Sequence, residues 1–181
     1  VTKTTAFTRS WPSLAAAGAG LIELALAAGV VTGAGGESRA AGPGVLAAAL
    51  LVLGAASLGW AGTVLARGRI VAPRLGLIGV LAGMGALIGL LVADAAHTSI
   101  AAVGAAIALL IVAGLACAHD ARRTARTTSH EPRRAVRASA LGVLVGATVV
   151  AALVTPALAS TEAGRLAPDH SEHMVEPTHE H

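Results

Sequence analysis

Five stretches of the chain are apolar over a length that suits a bilayer: residues 11–32, 45–66, 75–93, 100–118 and 138–159. A membrane-crossing helix needs about 20 mainly apolar residues. Glu23 is the one charged residue inside any of them. None alternates with period two, which argues against barrel strands. Lipid offers backbone groups no water to bond, so each run reads as a helix. The connecting stretches hold Gly, Pro, Arg and Asp. The pattern predicts an all-α fold: a polytopic membrane helix bundle of about five transmembrane helices within residues 1–160. A hydrophilic tail follows over residues 161–181 and reads as disordered.

Charge orients this bundle. Lys3 and Arg9 precede the first stretch. Arg67, Arg69 and Arg74 follow the second, and Arg122, Arg123, Arg126, Arg133, Arg134 and Arg137 follow the fourth. If five helices alternate, these residues share one side and only Arg39 and Arg165 fall on the other. Cytoplasmic loops carry the Lys/Arg excess. The expectation is therefore an amino terminus inside, a carboxyl terminus outside, and a bacterial cell (plasma) membrane as the location. Acids show the reverse bias: Glu37, Asp94, Glu162, Asp169, Glu172, Glu176 and Glu180 fall outside, against Asp120 and Glu131 inside.

Composition agrees. Hydrophobic residues make up 55% and charged residues 13%, where a soluble domain usually has about 25% charged. Mean hydropathy is +0.73. The pI near 10.4 belongs to the inner loops, so it does not point to nucleic acid. The basic run around Arg122–Arg137 has two readings, a topology signal or contact with anionic lipid or a cytoplasmic partner. Phe7, Trp11 and Trp60 are the only aromatics, so interfacial belts are reduced to two tryptophans. The lone Cys117 cannot form an internal disulfide and reads as a small packed residue. The basic start followed by an apolar run resembles a signal peptide, with Ala28 or Gly33 as cleavage points. The run is long enough to span, and that reading is preferred.

Small residues four apart let membrane helices approach closely. Ala16/Gly20, Gly79/Gly83, Gly85/Gly89 and Gly142/Gly146 have that spacing. They read as packing within one bundle, with homodimer contacts as the lesser alternative.

Two features could carry chemistry. Glu23 lies midway along the first span, where an acid costs about 2.5–3.5 kcal/mol on insertion scales. Ala16, Ala19, Gly20 and Ala27 share its helix face, and Leu14 and Leu21 lie opposite. It reads as an ion or proton site or a subunit contact. The alternative is a neutral carboxyl bonded to Ser57, Thr63 or Thr148. The second feature is the tail, with His170, His173, His179 and His181 among acids and Met174. Asp94 and His97, in the short outer loop, could join them. Imidazole is the commonest ligand for zinc and copper, so copper or zinc is the implied cofactor. The competing reading is a solvated acidic end.

Pro156 is expected to kink or end the last helix. Ala157-Leu158-Ala159 beyond it resembles a cleavage site that would release the tail. There is no nucleophile with a matching base, no GxSxG, no phosphate loop and no HExxH, so no enzyme is expected.

Three further segments carry a resemblance: Arg9-Ser10-Trp11-Pro12-Ser13 before the first helix with Glu23 inside it, Thr155-Pro156-Ala157, and Thr161-Glu162-Ala163-Gly164. With the Ala/Gly/Arg-rich, Lys-poor composition, they resemble uncharacterised small actinobacterial multi-pass membrane proteins with a His-bearing outer tail. The resemblance implies no activity and transfers no site residue.

Three functions follow as expectations. The first is metal handling, with the outer histidines collecting copper or zinc for a metal transporter or a metalloenzyme under assembly. The second is a structural accessory subunit of a larger membrane complex, docked through Glu23 and the small faces. The third is a small exporter or permease using Glu23. Five helices do not divide into two inverted halves, unlike many transporters, although a dimer could supply the symmetry.

Overall fold

A computed structural model describes residues 2–32, 41–126, 140–161 and 165. They form five helices: α1 Thr2–Thr32, α2 Ala41–Arg67, α3 Pro73–Ala93, α4 Ile100–Arg126 and α5 Ala140–Ala159. There is no strand among the described residues. Each helix contains a stretch long and apolar enough to cross a membrane: Trp11–Thr32, Gly44–Arg67, Pro73–Ala93, Ile100–Arg123 and Gly142–Ala159. The all-α, five-span reading of the sequence is therefore the fold.

Two helices run well beyond the hydropathy pattern. α1 begins ahead of its apolar stretch, and α4 continues past residue 118 to Arg126. Alanine and arginine are strong helix formers, so α4 does not stop where the apolar residues do. α5 includes Pro156 and ends three residues later at Ala159, where the apolar stretch ends. Membrane helices tolerate proline when neighbours re-satisfy the freed backbone groups.

α1 is the hub. It packs against α2, α4 and α5, and α3 closes a ring by packing on α2 and α4. Of its apolar stretch 56% is buried, against 17% for α3, so lipid-facing surface falls mainly on the outer helices. Alanine and glycine set this arrangement, since they bury backbone against backbone. A Cβ added to Gly20 would lie 2.8 Å from the Gly54 carbonyl, and one added to Gly54 would lie 2.8 Å from the Gly20 carbonyl. This reciprocal crossing is where α1 and α2 come closest in the glycine contacts. On the α5 side, Gly18 receives Val150 and Val154, and Gly146 receives Leu14. Leu14, expected opposite the packing face, therefore packs on α5, while Leu21 remains 44% exposed.

The turns are local. Between α2 and α3, Gly68 has φ 60° and Ala72 has φ 47°, both left-handed. The Trp60 indole N–H donates to the Val71 carbonyl at 2.8 Å and holds this turn onto α2. Between α3 and α4, Ser99 caps α4 by accepting from the Ala102 N–H at 3.3 Å, as an N-cap serine does. Its Oγ is also 2.8 Å from Ser160 Oγ. That bond ties the end of α5 to the start of α4.

Candidate functional site: a buried carboxyl beside an apolar cavity

The alanine face predicted for α1 is the buried one. Ala16, Ala19 and Ala27 are nearly inaccessible, and Glu23 on the same face has 0% exposure. Its carboxyl points across the ring to α3. A Cβ built on Gly83 would lie 2.6 Å from Glu23 Oε1 and 3.2 Å from Leu110 Cδ1 of α4. Glycine is what makes room there. Glu23, Gly83 and Leu110 each sit near the middle of their membrane-spanning stretches.

Neither oxygen of Glu23 has a hydrogen-bond partner. The partners expected for a merely structural carboxyl do not bond it. Thr63 Oγ1 donates to the Trp60 carbonyl at 2.8 Å, and Thr148 Oγ1 donates to the Leu144 carbonyl at 2.9 Å. Ser57 lines the neighbouring cavity instead.

That cavity measures about 260 Å³ and lies inside the ring, in the half toward the arginine-bearing α2–α3 turn. Ala16 of α1, Ser57 and Trp60 of α2, Gly79 and Val80 of α3, and Leu110 and Cys117 of α4 contribute to its wall. Leu110 borders both the cavity and the Glu23–Gly83 contact, and Glu23 itself is not part of the cavity wall. Trp60 and Cys117 also meet over Gly76, where an added Cβ would lie 3.2 Å from the indole and 2.9 Å from Cys117 Sγ. Cys117 is thus fully buried, as expected for a packed residue. Leu75, 68% exposed, also lines the cavity and marks its opening on the α2–α3 flank.

At the opposite end, His97 Nδ1 lies 2.8 Å from Asp94 Oδ1, with the His97 side chain 64% exposed. These two of the six expected metal residues are together. His170, His173, His179 and His181 lie outside the described residues. Among the described residues no three His, Cys, Asp or Glu side chains cluster for a metal. Arg122 and Arg123 are exposed near the end of α4, and Arg126 is in its last turn. Arg133, Arg134 and Arg137 lie outside the described residues.

Sequence reasoning singled out Glu23 but not Trp60, Leu110 or the apposition of Gly83. Depth matching could have found the last, because Glu23 and Gly83 are both mid-span residues. The cavity has no linear signature. Comparison with family models, with characterised proteins and with solved structures returned no match for this chain.

Proposed function

We propose that this protein is a small permease of the bacterial plasma membrane, amino terminus inside, in which Glu23 binds a proton or a small cation at the midplane. One observation carries the reading: a fully buried carboxyl with both oxygens unbonded. A buried polar group without partners costs about 1–3 kcal/mol by protein mutational data. A structural carboxyl would recover that cost through hydrogen bonds, and Glu23 does not. Intramembrane acids facing a bundle interior typically mark ion or proton paths. The cavity inside the same ring supplies space for a solute.

The test uses the full chain in liposomes loaded at acid pH, with a pH-sensitive dye inside. Na⁺, K⁺ or tetramethylammonium is added outside as an exchange partner. At least one cation should drive luminal alkalinisation that Glu23→Gln abolishes. Rates equal to empty liposomes for all three, or an unaffected Gln variant, would sink the permease reading.

A second reading, metal collection at the outer end, is favoured by the Asp94–His97 pair. Metal-bound histidines typically give their second nitrogen to a carboxylate, and Nδ1 of His97 faces Asp94. The Ser99–Ser160 bond roots the tail beside this turn. Elemental analysis and calorimetry on the full chain and on a version ending at Leu166 test it. Stoichiometric copper or zinc lost with the tail supports the reading, and no binding by either form removes it.

A further inference from the structure

We propose that the cavity holds one acyl chain of an anionic phospholipid, with the lipid's phosphate on Arg67, Arg69 and Arg74 around the α2–α3 turn. This goes beyond the permease reading and does not depend on it. A chain there and a permeating solute compete for the same space.

The cavity opens toward lipid. Its walls from α1 and α4, among them Ala16, Leu110 and Cys117, are buried, whereas Ala56 of α2 and Leu75 of α3 are exposed. The opening therefore lies between α2 and α3, within their membrane-spanning stretches. Along α3 the wall runs from Leu75 to Val80, about 8 Å at roughly 1.5 Å per residue. One leaflet supplies about 15 Å of hydrocarbon, half the core thickness, so the cavity lies within the reach of a single chain. The side chains around it bring one hydroxyl, Ser57, and one thiol, Cys117, besides the Trp60 N–H, which is committed to Val71. A trapped water needs about two to four polar partners. Hydrocarbon needs none, and it restores the dispersion contacts that an empty apolar cavity forfeits.

Charge selects the lipid. The two helices that flank the opening are joined by the arginine-bearing turn: Arg67 ends α2, Arg69 lies in the turn, and Arg74 is in the first turn of α3. All three are exposed, and none forms an ion pair with a described residue. Arg74 immediately precedes Leu75 at the mouth, and the Trp60 bond to Val71 fixes the turn beside the cavity. A chain lying between α2 and α3 from this end brings its headgroup to the arginines. Guanidinium groups bind phosphate oxygens through paired N–H donors, and basic clusters at the ends of membrane helices hold anionic headgroups. A zwitterionic lipid offers the same phosphate together with an ammonium that the arginines repel.

Trp60 provides the readout. In Trp11→Phe, Trp60 is the sole tryptophan, and bromine on an acyl chain quenches an indole that it touches. The full chain with that substitution is placed in phosphatidylcholine nanodiscs containing increasing fractions of dibromostearoyl phosphatidylglycerol or dibromostearoyl phosphatidylcholine. The phosphatidylglycerol should quench saturably, with its midpoint at a mole fraction about tenfold or more below that of the phosphatidylcholine. Joint Arg67→Gln, Arg69→Gln and Arg74→Gln should erase that preference and leave the phosphatidylcholine curve unchanged. Gly79→Leu, whose side chain enters open space at the cavity wall, should erase saturable quenching by phosphatidylglycerol with the arginines still in place. Equal curves for the two lipids, a triple variant that keeps the preference, or Gly79→Leu quenched like the parent would overturn the proposal. So would reversal of the quenching by soluble glycerol phosphate but not by chloride at equal ionic strength, which would make a free phosphate the ligand. Cation exchange without the lipid preference removes this site alone. Lipid preference without exchange supports the site and removes the permease reading.

Discussion

Glu23 on α1 and Gly83 on α3 face each other at mid-membrane, so closely that a β-carbon on Gly83 would lie 2.6 Å from Glu23 Oε1. α1 and α3 stand across the ring, each packed on α2 and α4. The carboxyl therefore fills the gap that a larger α3 residue would occupy. Gly83→Ala should push it aside at a cost of about 1–3 kcal/mol, the usual penalty for overpacking a core. In a Glu23→Ala background the new methyl enters vacated space, and the cost should nearly vanish. Thermal unfolding in nanodiscs, run as a double-mutant cycle, checks this. Contacting residues couple by about 0.5–3 kcal/mol, and additive effects would show that the two do not share this space.

The unbonded carboxyl gives the second prediction. Glu23→Leu replaces a buried group lacking partners with one that needs none. It should stabilise the bundle, by about 1–3 kcal/mol if the unmade hydrogen bonds are the main term. The same variant should lose Glu23-dependent flux, as expected where function is kept at the expense of stability. A lower unfolding temperature for Leu than for the parent would mean that Glu23 has bonding partners in the membrane after all.

At the α1–α2 crossing the obstacle is backbone, which cannot rotate away. Gly20→Ala and Gly54→Ala should each force the helices apart, since each Cβ would meet a carbonyl oxygen at 2.8 Å. A loss of about 1–3 kcal/mol is expected, or more if the helices cannot shift. Gly59 and Gly62 on the same helix have nothing within 4 Å of an added Cβ, so their alanine variants should be near neutral. The four unfolding temperatures, measured side by side, decide the matter. Equal effects at all four positions would mean that this crossing does not hold the bundle.

The contrast between these glycines shows where the sequence is informative. Helix number follows from apolar length, because the bilayer imposes both a length and a backbone rule. Glu23 stood out because a single acid in an apolar run is chemically conspicuous. Partner choice is different. Gly83 and Gly79 have the same spacing signal, yet one meets a carboxyl and the other faces open cavity. Gly20 was legible as a small residue, but its partner Gly54 was not, since nothing in a one-dimensional pattern pairs positions on separate helices. Leu14 went astray for the same reason: a helical wheel separates faces but does not say that α5 covers the second one.

The last prediction concerns the turn that closes the cavity's arginine-bearing end. Trp60 reaches from α2 to the Val71 carbonyl and simultaneously walls the cavity. Trp60→Phe keeps much of the apolar body and deletes the donor, leaving Val71 to find another partner or none. A loss of about 1 kcal/mol is expected, the net worth of a typical internal hydrogen bond. Ala72 in the same turn has φ 47°, a left-handed conformation that costs an L-residue about 1–2 kcal/mol. Ala72→Gly removes the Cβ responsible, offset by the greater freedom glycine has when unfolded. It should therefore be neutral to mildly stabilising in the parent. In Trp60→Phe, where the tether holding the strained turn is gone, the alanine can relax and the gain from glycine should shrink. Unfolding temperatures of the two single variants and the double variant measure this coupling. A glycine gain undiminished by Trp60→Phe would show that α3, entering directly at Pro73, holds Ala72 in place without the indole.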